Sequence, residues 1–211
     1  MNDPAASPHG AAVALAAEIK RRMPDAERPL VVAIDGRSGS GKSTLAALLA
    51  PLVDGVVVPA DDFFASEIAT SGWEARSAAE RAADALDWRR LRTEALEPLR
   101  AGRPATWHSF DFGAEARPDG SYSMQAEPIV RLPGPVVILD GAYSARPELA
   151  DLLDLTVLVE APEAVRHARL AAREDPQVLV AWHARWDAAE DHYFGTVRPA
   201  TAFDLIIGGA A

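Results

Sequence analysis

Residues 36 to 43 read GRSGSGKS, a run in which glycine, hydroxyl and ammonium groups alternate closely enough to act on one anion. Gly36, Gly39 and Gly41 permit backbone angles that strain other residues, so successive amide N–H groups can line a hollow. The helix expected next turns its positive end toward the same place. Lys42 then supplies a point charge to the β and γ phosphates of a nucleotide, and the Ser43 hydroxyl can enter the shell of a magnesium ion. Ser38, Ser40 and Thr44 belong to the same candidate nucleotide-binding stretch. An ordinary Gly/Ser turn is the competing reading, and it explains neither the lysine nor the strand–loop–helix setting.

Carboxylates stand at the ends of other apolar runs. Asp61 and Asp62 follow GVVVPA (55–60), and Asp140 closes PVVILD (135–140). A carboxylate at residue 61 that faces the terminal phosphate across a gap is placed to take the proton of an attacking hydroxyl, a role that typically contributes about 10² to 10⁴ in rate. Asp140 reads as an acid that binds magnesium directly or through water. Each has a plainer alternative: Asp61 and Asp62 as caps of a turn or helix, Asp140 with Gly141 as a turn-forming pair. Arg166, Arg169 and Arg173 repeat at i, i+3 and i+7, one stripe of a helix. They fit either a lid that neutralises charge developing in transfer or a solvated face paired with neighbours such as Glu163.

The elements that must position these groups are legible as alternation. LVVAID (30–35), GVVVPA, PVVILD, LTVLVE (155–160) and FDLII (203–207) are nearly continuous in apolar residues, as strands buried on both faces are. Helical patterns fall at 11–23, 42–52, 74–100, 145–153, 162–174 and 177–194, with Asp87 a candidate N-cap, Gly102 a stop and Pro98 the cause of a bend. The pattern predicts an α/β fold with a mainly parallel sheet, in which Asp35-Gly36, Asp61-Asp62, Asp140-Gly141 and Glu160 share the rim at the strands' carboxyl ends. Segments 104–112 and 127–132, with a DGSY turn at 119–122 between them, read as a small antiparallel flap.

Composition narrows the function classes. The 211 residues suit one domain. A formal charge of −10, from 21 basic and 31 acidic residues, disfavours nucleic acid and acidic membranes as partners. The absence of cysteine excludes disulfides, a thiolate zinc site and a cysteine nucleophile together. The N-terminus lacks the charge pattern of a signal peptide, and no apolar stretch reaches the roughly 20 residues that span a bilayer, so a cytoplasmic protein is expected. The five histidines show no zinc-type spacing, and none is expected to form a zinc site. His108 is set apart by its place in the flap. Trp182, Trp186 and Tyr193 read as the core face of a helix rather than a stacking platform. Neither an N-K-x-D or T-K-x-D run nor an L-S-G-G-Q-like run occurs, which weakens GTPase-switch and ABC-type readings.

The ordered series VVAIDGRSGSGKSTLA, ADDFF, LDWRRLRTEALEPLRAG, WHSFDF, VVILDGAYSARPEL, RHARLAARED, WHARWDAAEDHYF and RPATAFDLII resembles the uridine kinase and phosphoribulokinase group of P-loop kinases over most of residues 30–207. The resemblance implies a P-loop NTPase three-layer sandwich over 1–211 with five parallel strands ordered 2-3-1-4-5, a substrate flap at 103–132 and a helical lid at 162–176. It implies a kinase using ATP and Mg²⁺, with a small-molecule hydroxyl acceptor, a nucleoside first, and leaves a homo-oligomer open. Asp61 matches the family's catalytic acid, with Lys42, Arg169 and Arg173 beside it in catalysis and Arg166 on the nucleotide. Asp62, Asp87, Trp107, His108, Phe110 and Asp111 fall on the acceptor side, and Ser43 and Asp140 on the metal. Two departures stand out: Asp140-Gly141 replaces the Glu-Gly of many members, and WHSFDF does not match the family's base-gripping residues one for one.

Overall fold

The computed structural model describes residues 7–23, 26–173 and 175–208. Its centre is a five-stranded, all-parallel sheet: β1 (Leu30–Asp35), β2 (Gly55–Pro59), β5 (Val136–Asp140), β6 (Leu155–Glu160) and β7 (Leu205–Gly208), in the spatial order β2-β5-β1-β6-β7. Counted along these five strands alone, that order is 2-3-1-4-5, as expected. A strand with helices on both faces has no polar side, and in β1 and β5 every residue is buried, the two terminal aspartates included.

The sheet separates two cores. On one face, Val32, Ile34, Ile138 and Val157 pack with Leu15 and Ile19 of α1 (Pro8–Arg22) and Leu45 and Leu49 of α2 (Lys42–Val53). On the other, Val31, Val58, Val137 and Leu139 meet Leu91, Leu96 and Leu99, Trp73 of α3 (Thr70–Ala75), Ala82 of α4 (Ala78–Asp84) and Trp186 of α8 (Pro176–His192). Burying both faces makes the three layers. Beside the sheet lies a two-stranded antiparallel ribbon, β3 (Ala105–Trp107) paired with β4 (Ile129–Arg131), which takes up three residues from each of the extended segments expected over 104–112 and 127–132.

Two helix expectations need correction. The pattern over 74–100 is interrupted rather than continuous. Arg76 is extended, Ser77 starts α4 with a capping box to Glu80, and Asp87 caps a third segment by accepting from the Arg90 N–H. That segment runs through α5 (Trp88–Arg90), a π-type stretch (Leu91–Leu96) and α6 (Glu97–Arg100), and it ends where the Gly102 N–H bonds to the Leu99 carbonyl. The widened turns lie just before Pro98, which has no N–H to continue an α ladder. The stretch 145–153 holds only a 3₁₀ turn, Pro147–Leu149; the Ala145 N–H is committed to Asp35 and the Arg146 guanidinium to the Ala83 carbonyl.

Candidate active site

The loop 36–41 leaves the buried end of β1 and enters α2 at Gly41, whose φ is +103°. Lys42 is 8% exposed, and its Nζ donates to the Arg37 carbonyl at 3.1 Å, curling back over the loop. Gly39 is demanded by contact as well as conformation: with φ at +78°, a Cβ there would lie 2.6 Å from the Arg166 carbonyl oxygen. Helix α7 (Glu163–Ala171), within the stretch expected as a lid, therefore rests directly on the loop. Its arginines face inward. Arg166, 8% exposed, donates to the Ser38 carbonyl at 3.3 Å, and Arg169 to the carbonyls of Gly39 (3.1 Å) and Ser40 (3.2 Å). The solvated-face alternative thus fails for Arg166, and Glu163 lies 4.0 Å from His167. Arg173 sits beyond the end of the helix, its N–H on the Leu170 carbonyl, and its charge is felt at Asp61.

The acids converge from β2 and β5. Gly141 has φ +152°, and a Cβ on it would meet the Ala60 Cβ at 2.6 Å, so the chain after Asp140 runs tight against the turn that carries Asp61 and Asp62. Asp140 is buried, which pushes its pKa up; the Ser43 hydroxyl, hydrogen-bonded to it, and the Lys42 charge pull it down, and Asp61 pushes it up again. Its Oδ1 is buried with no hydrogen-bond partner among the described residues. A hydroxyl, a carboxylate and an orphaned carboxylate oxygen suit a hard cation that takes oxygen ligands, so Ser43 and Asp140 fit magnesium.

Asp61 and Asp62 lie in a 3₁₀ turn, Ala60–Phe63, at the carboxyl end of β2. Their environments differ. Asp62 Oδ2 accepts from the Trp107 indole N–H at 2.8 Å. Asp61 is exposed, and its carboxylate accepts no hydrogen bond from the described residues. The protein packed around its carboxylate raises its pKa, while Lys42 and then Arg173 lower it. Asp61, Lys42 and Asp140 thus share one rim.

The acceptor-side residues are only partly as expected. Trp107 is 1% exposed and stacks on Phe63 at 5.6 Å, so it holds Asp62 rather than presenting a face to a ligand. Phe110 is buried against Phe64 (5.1 Å), Phe112 (4.5 Å) and Tyr122 (5.4 Å), and Phe112, 67% exposed, is the ring that this cluster offers to solvent. Asp87 and Asp111 are engaged locally, in capping α5 and in accepting from the Gly113 N–H. The His108 ring bonds through Nδ1 to the Gln125 carbonyl. Trp186 and Tyr193 are core residues; the Trp182 side chain lies outside the described residues.

Several residues that tie the site together carry no local sequence signature. Glu190 of α8 accepts from the Ser38 N–H (3.0 Å) and hydroxyl (2.7 Å), and Arg37 pairs with Asp191. Asp35 is fully buried, and its carboxylate accepts from the Gly36 N–H (2.7 Å), the Ala145 N–H (2.9 Å) and the Tyr193 hydroxyl (2.9 Å). Burial outweighs those three bonds and the Lys42 charge, and the Asp35 pKa is raised to about 6. Tyr143, with φ +65°, is a non-glycine residue in the left-handed region within the loop after β5, a form of strain that collects at functional sites. Beyond the loop's other flank lies a cleft of about 210 Å³, lined by Arg37, Val159, Glu160, Arg166, Phe194 and Ala200.

No family model matches the chain. It is 32% identical over 151 residues to a uridine kinase from Deinococcus deserti, an alignment covering 70% of this chain and 69% of that protein. Among solved structures, a possible uridine kinase from Bacillus stearothermophilus superposes with a TM-score of 0.62 at 20% identity, covering 90% of this chain and 99% of the other. A protein from Silicibacter sp. TM1040, described as a putative fructose transport system kinase, gives 0.63 at 25% identity, covering 92% and 98%. Sequence likeness over that span, the sheet order and the phosphate loop agree, and the chain belongs to the uridine kinase and phosphoribulokinase family of P-loop kinases.

Proposed function

We propose that this kinase transfers the γ-phosphoryl group of ATP, with Mg²⁺, to a hydroxyl of a small molecule, a nucleoside such as uridine or cytidine in the first place. The observation that carries the reading is Asp61: a carboxylate without a hydrogen-bond donor, electrostatically coupled to Lys42, standing at the rim that also holds Asp140. Asp62, by contrast, has one oxygen committed to Trp107. In this reading the loop amides and Lys42 hold the phosphates and the cleft beside Arg37 and Phe194 receives the nucleoside part of ATP. Asp61 then accepts the acceptor's hydroxyl proton. Ser43 and Asp140 would hold magnesium, which would supply charge neutralisation on the phosphates. Arg166 and Arg169 fix the loop from above, and Arg173 adds positive charge near Asp61.

The nucleoside preference draws support from the likeness to uridine kinases and from the aromatic cluster of Phe64, Phe110, Phe112 and Tyr122 beside the acids, which suits a planar ring. A second reading, a different small alcohol such as a sugar, pantothenate, glycerate or an antibiotic, is favoured by one neighbour's description as a fructose transport system kinase and by the unmatched WHSFDF flap. ADP production measured across nucleosides and other alcohols decides between them. Stimulation by uridine or cytidine supports the first reading; stimulation only by another alcohol supports the second. ATP hydrolysis indifferent to every acceptor would instead indicate a nucleotide switch and overturn both.

A further inference from the structure

Among the described residues, phosphoryl transfer leaves a group of coordinating side chains unused where α7 meets α8. His183 and Asp187 stand one turn apart on α8, with Nδ1 3.0 Å from Oδ2. His167 faces them from α7, its Nε2 4.0 Å from the same carboxylate oxygen, and the two imidazole rings lie 4.5 Å apart between centroids. One nitrogen from each ring and one carboxylate oxygen all fall within 4.8 Å of one another, and all three residues are partly buried. The other nitrogen of His167, Nδ1, lies 4.0 Å from a Glu163 carboxylate oxygen.

We propose that His167, His183 and Asp187 form a site for a divalent transition-metal ion of the Zn²⁺ class that ties the lid helix to α8. Such an ion takes imidazole nitrogen and carboxylate oxygen at about 2.0–2.2 Å, which sets neighbouring ligand atoms about 3.3 Å apart in a tetrahedral shell. The His183–Asp187 pair already meets that spacing. His167 must approach by about 1 Å, within reach of a side-chain adjustment on a partly exposed helix. Two imidazoles with one carboxylate leave a position for water and discriminate against magnesium, which prefers an all-oxygen shell. Glu163, 4.0 Å from Nδ1 of His167, would become the outer carboxylate that fixes the tautomer and orientation of this histidine once that gap closes.

The consequence concerns the lid. α7 carries Arg166 and Arg169, whose guanidinium groups rest on the carbonyls of the phosphate loop, and α8 carries Glu190, which holds Ser38. An ion bridging the two helices would clamp that arrangement from outside the reacting centre.

Calorimetric titration of the full-length, nucleotide-free chain with ZnCl₂, in excess MgCl₂, tests the site. One zinc per chain is expected, with binding weakened at least tenfold by His167→Gln and by His183→Gln, and about tenfold by Glu163→Gln. Circular dichroism would establish that each variant is folded. Cobalt(II) substituted for zinc should give visible absorption bands that both histidine variants lose, while His9→Gln and His108→Gln retain them. Absence of saturable zinc binding to the wild-type chain, or folded His167 and His183 variants that bind as the wild type does, would overturn the proposal.

Discussion

Glu190 holds Ser38 by two atoms at once: a carboxylate 2% exposed accepts from both the amide N–H and the hydroxyl of a residue 152 positions earlier. From α7, Arg166 donates to the carbonyl of the same Ser38. The phosphate loop is thus gripped from α7 and α8 together. A loop rich in glycine has high conformational entropy when free, and these side chains offset it before a nucleotide arrives.

Removing that grip should cost both stability and nucleotide affinity. Glu190→Ala leaves the partly buried Ser38 donors without their acceptor, and about 1 kcal/mol of unfolding free energy should be lost. Denaturant unfolding measures this directly. The KM for ATP should rise in the same variant, and Glu190→Gln, which retains an acceptor oxygen, should recover part of both effects.

Substitutions at the rim separate binding from transfer. Lys42→Ala should abolish turnover. Asp61→Asn should still bind ATP but transfer about 10² to 10⁴ times more slowly, the loss expected for a general base. Rapid-quench measurement of a single turnover, alongside nucleotide binding by fluorescence, distinguishes the two; transfer near the wild-type rate in Asp61→Asn would remove it from the proton-accepting role.

Asp35 makes stability depend on pH in a defined window. Its carboxyl releases its proton at about 6 in the folded chain, against an ordinary value of 3.8. The folded state therefore holds the proton longer than the unfolded state, so this group's favourable contribution is complete below the unfolded value and is lost as pH rises toward 6. The difference amounts to on the order of 2–3 kcal/mol. Subtracting the unfolding free energy of Asp35→Asn from that of the wild type, pH by pH, should give a difference that declines between about pH 4 and pH 6. A flat difference would show that burial does not hold the proton on Asp35.

Trp107→Phe tests how the flap is mounted. The substitution keeps most of the packing on Phe63 but deletes the N–H that Asp62 accepts. A hydrogen bond to a charged group is worth about 1.5–3 kcal/mol, so thermal unfolding should shift to lower temperature by that equivalent. The KM for the acceptor should rise more than that for ATP, because Phe110 and Phe112 belong to the same flap.

Much of this was readable residue by residue. Continuous apolar runs place β1, β5 and β6 because a strand covered on both faces has no room for alternation, whereas β7, at the edge of the sheet, leaves Ile206 half exposed and is not buried on both faces as its apolar run suggests. GRSGSGKS points to phosphate because few other uses need three glycines, a lysine and a hydroxyl in eight positions. The helix pattern over 74–100 misled because apolar spacing persists through Arg76 and Asp87 while caps and extended backbone break the chain between turns. Trp107 and Phe110 misled in the opposite way: an aromatic residue in a flap reads equally well as a ligand platform or as packing, and only burial separates the two.

The sequence alone therefore determined the local matters, which residues form strands, where the phosphate loop begins, and which acids end which strands, since each depends on neighbours within a turn or two. Tertiary structure decided the rest. That Glu190 would seize Ser38, that Tyr193 would donate to Asp35, and that His167 would face His183 depends on how α7 and α8 fold back across the sheet, through contacts whose partners in the first two cases are more than 150 residues apart. Side chains so far separated carry no mutual periodicity, and only packing brings them within hydrogen-bonding distance.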